Sequence, residues 1–560
     1  MTLRLGVVAV ALLSAASHWL APSWFNLPQN PGGAGLGPDN ADPALAVIAV
    51  VATIGALLAI RFRTTGGAII GAAAIMSCFL VAWEFRPVVW ILPLPLILCT
   101  AVLITRTAQG PDFSKGRRAA LGAILIGGAV IWQTLRAAAD LLSPTHPDSA
   151  AAPLDSPAAW LWVGSVSTTS ATVTAGGLSE GPARLLHWVD DQQPEFVDTD
   201  VPASGVARFE LSGLTAGTNY FYRVARPADD DNNPNQGTLV PLVADSSFRT
   251  FDLNPTDITI AFASCARTGS NGAVFDAIRA VEPEVFVQLG DLHYANLTST
   301  NPDDHLEALG RSLSTPAQSA LYSSVPSAWI WDDHDYGDND SDSSSPSRNA
   351  VSTAYRQAVP HWDVDPDVSA PINQAFSVGP VRVITTDTRS HRTTDTMLGA
   401  DQEAWLINEL CVASESHALV IWANPAPWNV PAQPGTDQWG GFPEERRRIA
   451  NAIAQAGIDN LVMISGDWHL AAIDDGTNTG YADDRSPGPP LIHAAPLDRP
   501  GRGTGQTYTH GVFSNAGQFG TVRVSRSELD SIDVVLTAHL WTGEELGSLS
   551  LTIDADSAGS

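Results

Sequence analysis

Lysine is almost missing from this 560-residue chain: Lys115 is the only one. Basic residues of both kinds number 30 against 59 acidic ones, a formal charge of −29. The deficit is uneven, because residues 140–560 carry 55 acidic and 21 basic residues, a charge of −34, while residues 1–139 carry +5. So acidic a surface excludes nucleic acid as a partner, since that binding depends on Lys and Arg neutralising phosphates. It favours solubility and would hold divalent cations nearby. Cysteine is scarce too. Cys78 and Cys99 fall in apolar stretches, Cys411 sits in a helical pattern from Asp401 to Ala413, and Cys265 ends an apolar run, so a Cys265–Cys411 disulfide is the disfavoured alternative to a free Cys265. No internal repeat is visible.

Five stretches of the first quarter are apolar and all but free of charge, at about 4–21, 44–60, 67–83, 88–105 and 119–135. Each is near the ~17–25 residues that cross a bilayer, and a cleaved signal peptide accounts for only the first. With the N-terminus inside, Arg4, Arg61, Arg63, Arg106, Lys115, Arg117 and Arg118 are cytoplasmic, against Arg86 and Arg136 outside, which fits the positive-inside rule. Five spans then place everything after residue 140 on the extracytoplasmic side of a cell membrane. Transport through them is disfavoured, because Glu84 lies at a span's end and the interiors carry almost no charge.

The expected organisation is a five-span transmembrane region (1–139), a Pro/Ala/Ser-rich linker (140–158), a small β-sandwich (159–254) and an α/β domain (255–560). In the third segment, short alternating runs such as Ala171 to Thr174 recur between Gly, Asp and Asn turns. Beyond it, apolar strands alternate with helical patterns at Gly272 to Val281, Leu306 to Arg311, Ser352 to Val359, Asp401 to Ala413 and Glu444 to Ala456.

Five loops of the α/β domain follow short, β-branched or aromatic runs that read as buried strands. They are Ser264-Cys265, Gly290-Asp291-Leu292-His293-Tyr294, Trp331-Asp332-Asp333-His334-Asp335, Asp387-Thr388-Arg389 and Gly466-Asp467-Trp468-His469. Strand ends of α/β sheets are where ligands bind, so these side chains should converge. Gly290 lets the chain turn off its strand while Asp291 is positioned to bridge two ions.

Taken in order, with Asn339 after the third loop, these motifs resemble the alkaline phosphatase D (PhoD-like) family of the calcineurin-like metallophosphoesterases. The segment Leu211 to Val224 resembles the late strands of a fibronectin type III domain, with a Tyr placed for a tyrosine corner. The resemblance covers about residues 160–555. It implies a metallophosphoesterase sandwich of mixed sheets, with Fe3+ held by Cys265, Asp291, Tyr294 and His469. Thiolate and phenolate suit that ion and bind it deprotonated. It further implies Ca2+ on Asp291, Asn339 and Asp467, an all-oxygen set. The sequence departs from the wider superfamily in three places. Cys265 stands where Asp-x-His is common, Ala423-Asn424-Pro425 stands where many relatives place a His, and Tyr336-Gly337-Asp338-Asn339-Asp340 leaves Asp338 or Asn339 as the ligand.

His334 matches the His that stabilises or protonates a leaving oxygen in that superfamily, and its alternative is a hydrogen-bonded structural role. Asp333 would be a ligand or would orient His334. Arg389 is the expected phosphate clamp, with Arg392 a weaker candidate; the alternative for Arg389 is an ion pair with a nearby Asp such as Asp387. His293 would reach the metals only from an extended loop. The function implied is a membrane-anchored, metal-dependent phosphoesterase acting on phosphomonoesters or phosphodiesters. Its alternatives are a phosphodiesterase of phospholipid or teichoic-acid-like envelope polymers and a non-catalytic ligand-binding sensor.

Overall fold

The structure, a computed structural model, describes residues 159–190, 192–227, 239–270, 272–501, 507–526 and 531–554. The five expected spans and the linker lie outside the described residues, and no helix among the described ones is long and apolar enough to cross a membrane.

Two mixed sheets face each other. Three parallel strands, β9 (Asp257–Ala263), β10 (Val285–Leu289) and β11 (Ser327–Ile330), form the middle of a nine-stranded sheet. The antiparallel strands β19 (Gln518–Arg526), β20 (Ser531–Leu540) and β21 (Glu545–Asp554) extend it on one side. The second sheet runs β12 (Gln374–Val378), β13 (Val381–Thr385), β14 (Leu419–Asn424), β15 (Leu461–Ser465), β17 (Leu491–Ala494), β16 (Ala471–Asp474) and β18 (Val512–Phe513), with β13, β14, β15 and β17 parallel.

Strand alternation explains how four layers form. Ile421, Ala423, Val462 and Ile464 point inward to meet Ile260, Phe262, Val285 and Val287 in one core. Val420, Trp422, Leu461 and Met463 point outward to Leu406, Leu410, Ile449 and Ile453 of helices α6 (Ala400–Ser416) and α7 (Pro443–Ala456). The other sheet is covered by α1 (Val274–Ala280), α2 (Pro302–Leu313), α3 (Pro316–Ser324) and α5 (Arg348–Ala358), and the single turn α4 (Asp333–Tyr336) follows β11. Local chemistry sets the ends: Asn301 caps α2 ahead of Pro302, Asp303 and Asp304, and Gly457 closes α7 in the left-handed conformation.

The nine-stranded sheet does not stop at the α/β segment. Strand β1 (Trp160–Gly164) pairs with β11 in parallel and continues to β2 (Ser170–Gly176) and β5 (Ala207–Ser212). Trp162 Nε1 donates to Ser327 Oγ at 2.6 Å across that seam. The small sandwich is completed by a sheet of β4 (Glu195–Val201), β3 (Gly181–Trp188), β6 (Asn219–Pro227) and β7 (Leu239–Pro241), with β8 (Ser246–Arg249) also on β6. The Tyr220 hydroxyl accepts from Thr215 N at 2.9 Å, the bond of a tyrosine corner.

Candidate metal centre

The carboxyl ends of β9, β10, β11, β13 and β15 meet at one edge of the two sheets. Asp467 N donates to Ser264 Oγ at 3.1 Å, and the Cys265 thiol lies 3.4 Å from the Asp467 carbonyl. Ala266 N donates to Asp291 O at 2.8 Å, while Trp331 Nε1 donates to Asp387 Oδ1 at 2.8 Å. Three side chains leave their strands with positive φ: Cys265 at 65°, Asp291 at 53° and Asp467 at 65°. Such backbone costs about 1–3 kcal/mol each in a non-glycine residue. The convergence of these three strained turns is the signature of an arrangement kept for its chemistry. Gly290 precedes Asp291 at φ 81°, and a Cβ there would collide with Asp332.

Cys265 is fully buried against Tyr294 and Ala495. The Tyr294 hydroxyl lies 3.0 Å from His469 Nε2, and His469 Nδ1 donates to the Pro500 carbonyl at 3.0 Å. That second bond fixes the tautomer and leaves Nε2 as the ligating atom. The Asp291 Oδ1 and Asp467 Oδ2 atoms are shielded from solvent and have no hydrogen-bond partner. Burial, then the neighbouring carboxylates, push Asp291 and Asp467 well above the usual carboxylate range. Burial, followed by Asp291 and Asp467, also raises the Cys265 thiol. Anionic groups brought together without enough cations, with acceptor atoms left unsatisfied, fit a site built for metal.

A second acidic group adjoins the first. Carboxylate oxygens of Asp333, Asp340 and Asp437 lie within 4.8 Å of one another, as do the ligand atoms of Asp291, Asp333 and His334. Asp333 accepts from His334 N at 2.9 Å and Asp340 N at 2.7 Å. His334 Nδ1 bonds Asn296 Oδ1 at 2.7 Å, and burial lowers the ring's pKa.

Residues 260–515 match the sequence model of the PhoD-like phosphatase family. That segment is similar to this family. An 82-residue stretch is 37% identical to alkaline phosphatase D of Bacillus subtilis (strain 168), covering 14% of this chain and 14% of that protein. The fold is similar to a solved structure of PhoD, with a TM-score of 0.57, 16% identity, and coverage of 71% of this chain and 90% of that one. A purple acid phosphatase from yellow lupin (Lupinus luteus) seeds aligns with a TM-score of 0.49 and 12% identity over 72% of this chain and 76% of its own.

Within the PhoD-like segment the structure brings Cys265, Asp291, Tyr294, Asp467, His469, Asp333 and His334 to one place and changes the reading of four other residues. Arg389 is fully enclosed, and its donors are taken. Nε bonds Asp332 Oδ1 at 2.6 Å, while Nη1 and Nη2 grip Asp437 at 2.8 and 2.9 Å. It is an ion-pair residue, not an open phosphate clamp, and its partners are Asp332 and Asp437. Asp387 instead accepts from Trp331, Ile372 N and Ser390. Arg392 is likewise bound to Asp437 at 2.5 Å. Asn339 stands exposed beside exposed Asp338, whose Oδ1 takes the Asn339 N–H at 2.8 Å. The loop residue that joins Asp333 and Asp437 is Asp340. His293 is buried with its Nδ1 3.8 Å from Asp335 Oδ1, and burial drives its pKa down to about 3.

Sequence reasoning missed Asp437, Asp340, Asn296 and Arg499. Asp437 lies in a Pro/Gly-rich loop with no strand before it, and nothing in its local sequence marks it. Asp332 was visible only as part of its motif. Burial pushes it up to about 7, with the charges of Asp333 and Asp437 adding to the shift and Arg389 opposing it. Burial also raises Asp437, but Arg389 and Arg392 outweigh it and hold this carboxyl low.

Proposed function

We propose that this protein is a metal-dependent phosphoesterase, anchored in a cell membrane by its N-terminal apolar stretches, with its catalytic unit on the extracytoplasmic side. One observation carries the catalytic part: the unpartnered, shielded oxygens of Asp291 and Asp467 beside Cys265 and the Tyr294–His469 pair. The family match of residues 260–515 supports it. Cys265, Asp291, Tyr294 and His469 suit iron(III), and the oxygen donors Asp291, Asp467, Asp333 and Asp340 suit calcium. When bound, such ions polarise a phosphoryl group and lower the pKa of a water to near neutrality.

The chain's own residues supply the rest. Asp291 lies within reach of Asp333 and His334, so it is the group able to face two ions. His334 Nδ1 donates to Asn296 Oδ1, so the neutral ring carries no proton on Nε2 and would act as a donor at the leaving oxygen only after taking one up there. Pro500 keeps His469 from rotating. Five apolar stretches upstream favour a substrate at the membrane surface, such as a phospholipid head group or an envelope polymer, as a narrower reading.

The test is hydrolysis of bis-p-nitrophenyl phosphate and p-nitrophenyl phosphate by the full chain in detergent, supplied with iron and calcium. The expected result is turnover that a chelator abolishes, with the ratio of rates assigning diester or monoester. A folded, metal-loaded protein that cleaves neither ester nor vesicle phospholipid would overturn the assignment.

A further inference from the structure

With Arg389 consumed by carboxylates, the site needs another group to receive a phosphoryl anion, and among the described residues Arg499 is placed to do so. The Tyr294 and His334 rings lie 4.2 Å apart and form one wall of the centre. Across the Tyr294 ring, 4.0 Å from its centroid, lies the guanidinium carbon of Arg499. Among the described residues no carboxylate lies within ion-pair distance of it, unlike Arg389 and Arg392. Its Nε is shielded from solvent without a hydrogen-bond partner, although the side chain as a whole is only half-buried. A shielded donor left unmade is costly in a resting protein, and that cost is recovered when a ligand supplies the acceptor.

The backbone that presents Arg499 is fixed on both sides. Leu497 N donates to Ser264 O at 2.9 Å, in the loop that carries Cys265. Asp498 accepts from Arg267 N at 2.5 Å and from Ser270 Oγ. On the other side, the Pro500 carbonyl holds His469. Arg499 therefore sits between the residue that ties the segment to the Cys265 loop and the residue that orients the ligating histidine. Placement on a segment so constrained is what recognition of a transition state requires.

We propose that Arg499 binds the non-bridging phosphoryl oxygens of the substrate, the role the sequence pattern assigns to Arg389. This rests on the phosphoesterase reading above. The planar guanidinium offers a fork of donors matched to two oxygens of a tetrahedral phosphate, and its stacking on Tyr294 holds the plane of that fork. It also supplies positive charge where Asp291, Asp333 and Asp467 would otherwise repel an anionic ester. Because the contact is to non-bridging oxygens, it serves monoesters and diesters alike.

The experiment compares the metal-loaded full chain with Arg499→Met and Arg499→Lys. It measures metal content by elemental analysis, inorganic phosphate binding by calorimetry, and kcat and KM on the preferred nitrophenyl ester. Arg499→Met should retain its metals, bind phosphate about 10- to 100-fold more weakly and lose a similar factor in kcat/KM, the scale of one charge-assisted contact. Arg499→Lys should recover part of the phosphate affinity, because the charge returns without the fork. Phosphate affinity and kcat/KM within twofold of the parent would overturn the assignment while leaving the phosphoesterase reading intact. Loss of metal in Arg499→Met would overturn it in favour of a role in supporting the centre. If the parent protein hydrolyses neither ester nor vesicle phospholipid, the phosphoesterase reading fails, and a parent that also binds no phosphate overturns the Arg499 assignment with it.

Discussion

Replacing Arg389 by Met separates an ion-pair residue from a substrate clamp. The guanidinium is fully buried and bonds Asp332, also fully buried, and Asp437. Removing one partner of a buried pair costs about 3–5 kcal/mol, because the remaining charge stays desolvated. Asp437 keeps Arg392 at 2.5 Å, so most of the penalty falls on Asp332. With an unfolding entropy of about 2.1 cal/mol/K per residue over roughly 400 residues, that loss lowers Tm by about 4–6 °C. The pH dependence follows from Asp332, whose folded pKa of about 7 lies above the 3.8 of an ordinary aspartate. A raised carboxyl makes the native state take up a proton. The parent's stability therefore declines as pH rises toward 7 and levels off above it. Without Arg389 the folded pKa climbs further and the decline continues. The gap between parent and variant should widen by up to about 1 kcal/mol from pH 7 to pH 8, because the parent itself still loses a few tenths over that interval. Calorimetric or fluorescence melts of chelator-treated full chain at both pH values measure this. A variant with the parent's Tm at pH 8 and a raised KM would refute the ion-pair reading and restore the clamp.

Asp291→Asn should abolish ester hydrolysis, yet melt no lower than the parent when both are metal-free, since it removes a buried charge among carboxylates. Adding metal should raise the parent's Tm and leave the variant's nearly unchanged. Iron loading should give a visible absorption band that Tyr294→Phe or Cys265→Ser removes or shifts while the far-ultraviolet spectrum stays constant. Gly290→Ala should lose about 1–3 kcal/mol of stability together with metal affinity, because the new methyl meets Asp332. His493, buried on the Trp468 carbonyl at 2.9 Å, has its pKa lowered by burial to about 4. Its depressed value contributes stability that is present above pH 6.5 and lost as pH falls toward 4, by about 3 kcal/mol at most; melts of a His493→Gln variant should show a shallower acid limb.

The strands that carry the site were legible because each is short, apolar and ended by a polar motif. The five loops do follow strands, β9, β10, β11, β13 and β15, as the apolar runs before them imply. Periodicity also located all five helical patterns, although α2 and α5 begin earlier than their apolar residues suggest, at Pro302 and Arg348. Charge pairing was not legible. Whether Arg389 meets a phosphate or an aspartate depends on Asp437, 48 residues away on a loop without periodicity. Arg499 was hidden for the same reason: its role comes from where Asp498 and Pro500 are tied, and those ties are long-range.

The seam between β1 and β11 makes the two β-rich regions one inheritable object. Strand β11 ends at Ile330, two residues before Asp332, and β1 joins its outer edge at the Gly164–Ser327 pair. Deleting the first 212 residues to obtain a minimal enzyme would bare that edge and leave it open to pairing between molecules. Recombination between homologues at the apparent boundary near residue 254 would split a continuous sheet. Grafts that keep Trp160 onward should stay soluble, whereas shorter ones should aggregate.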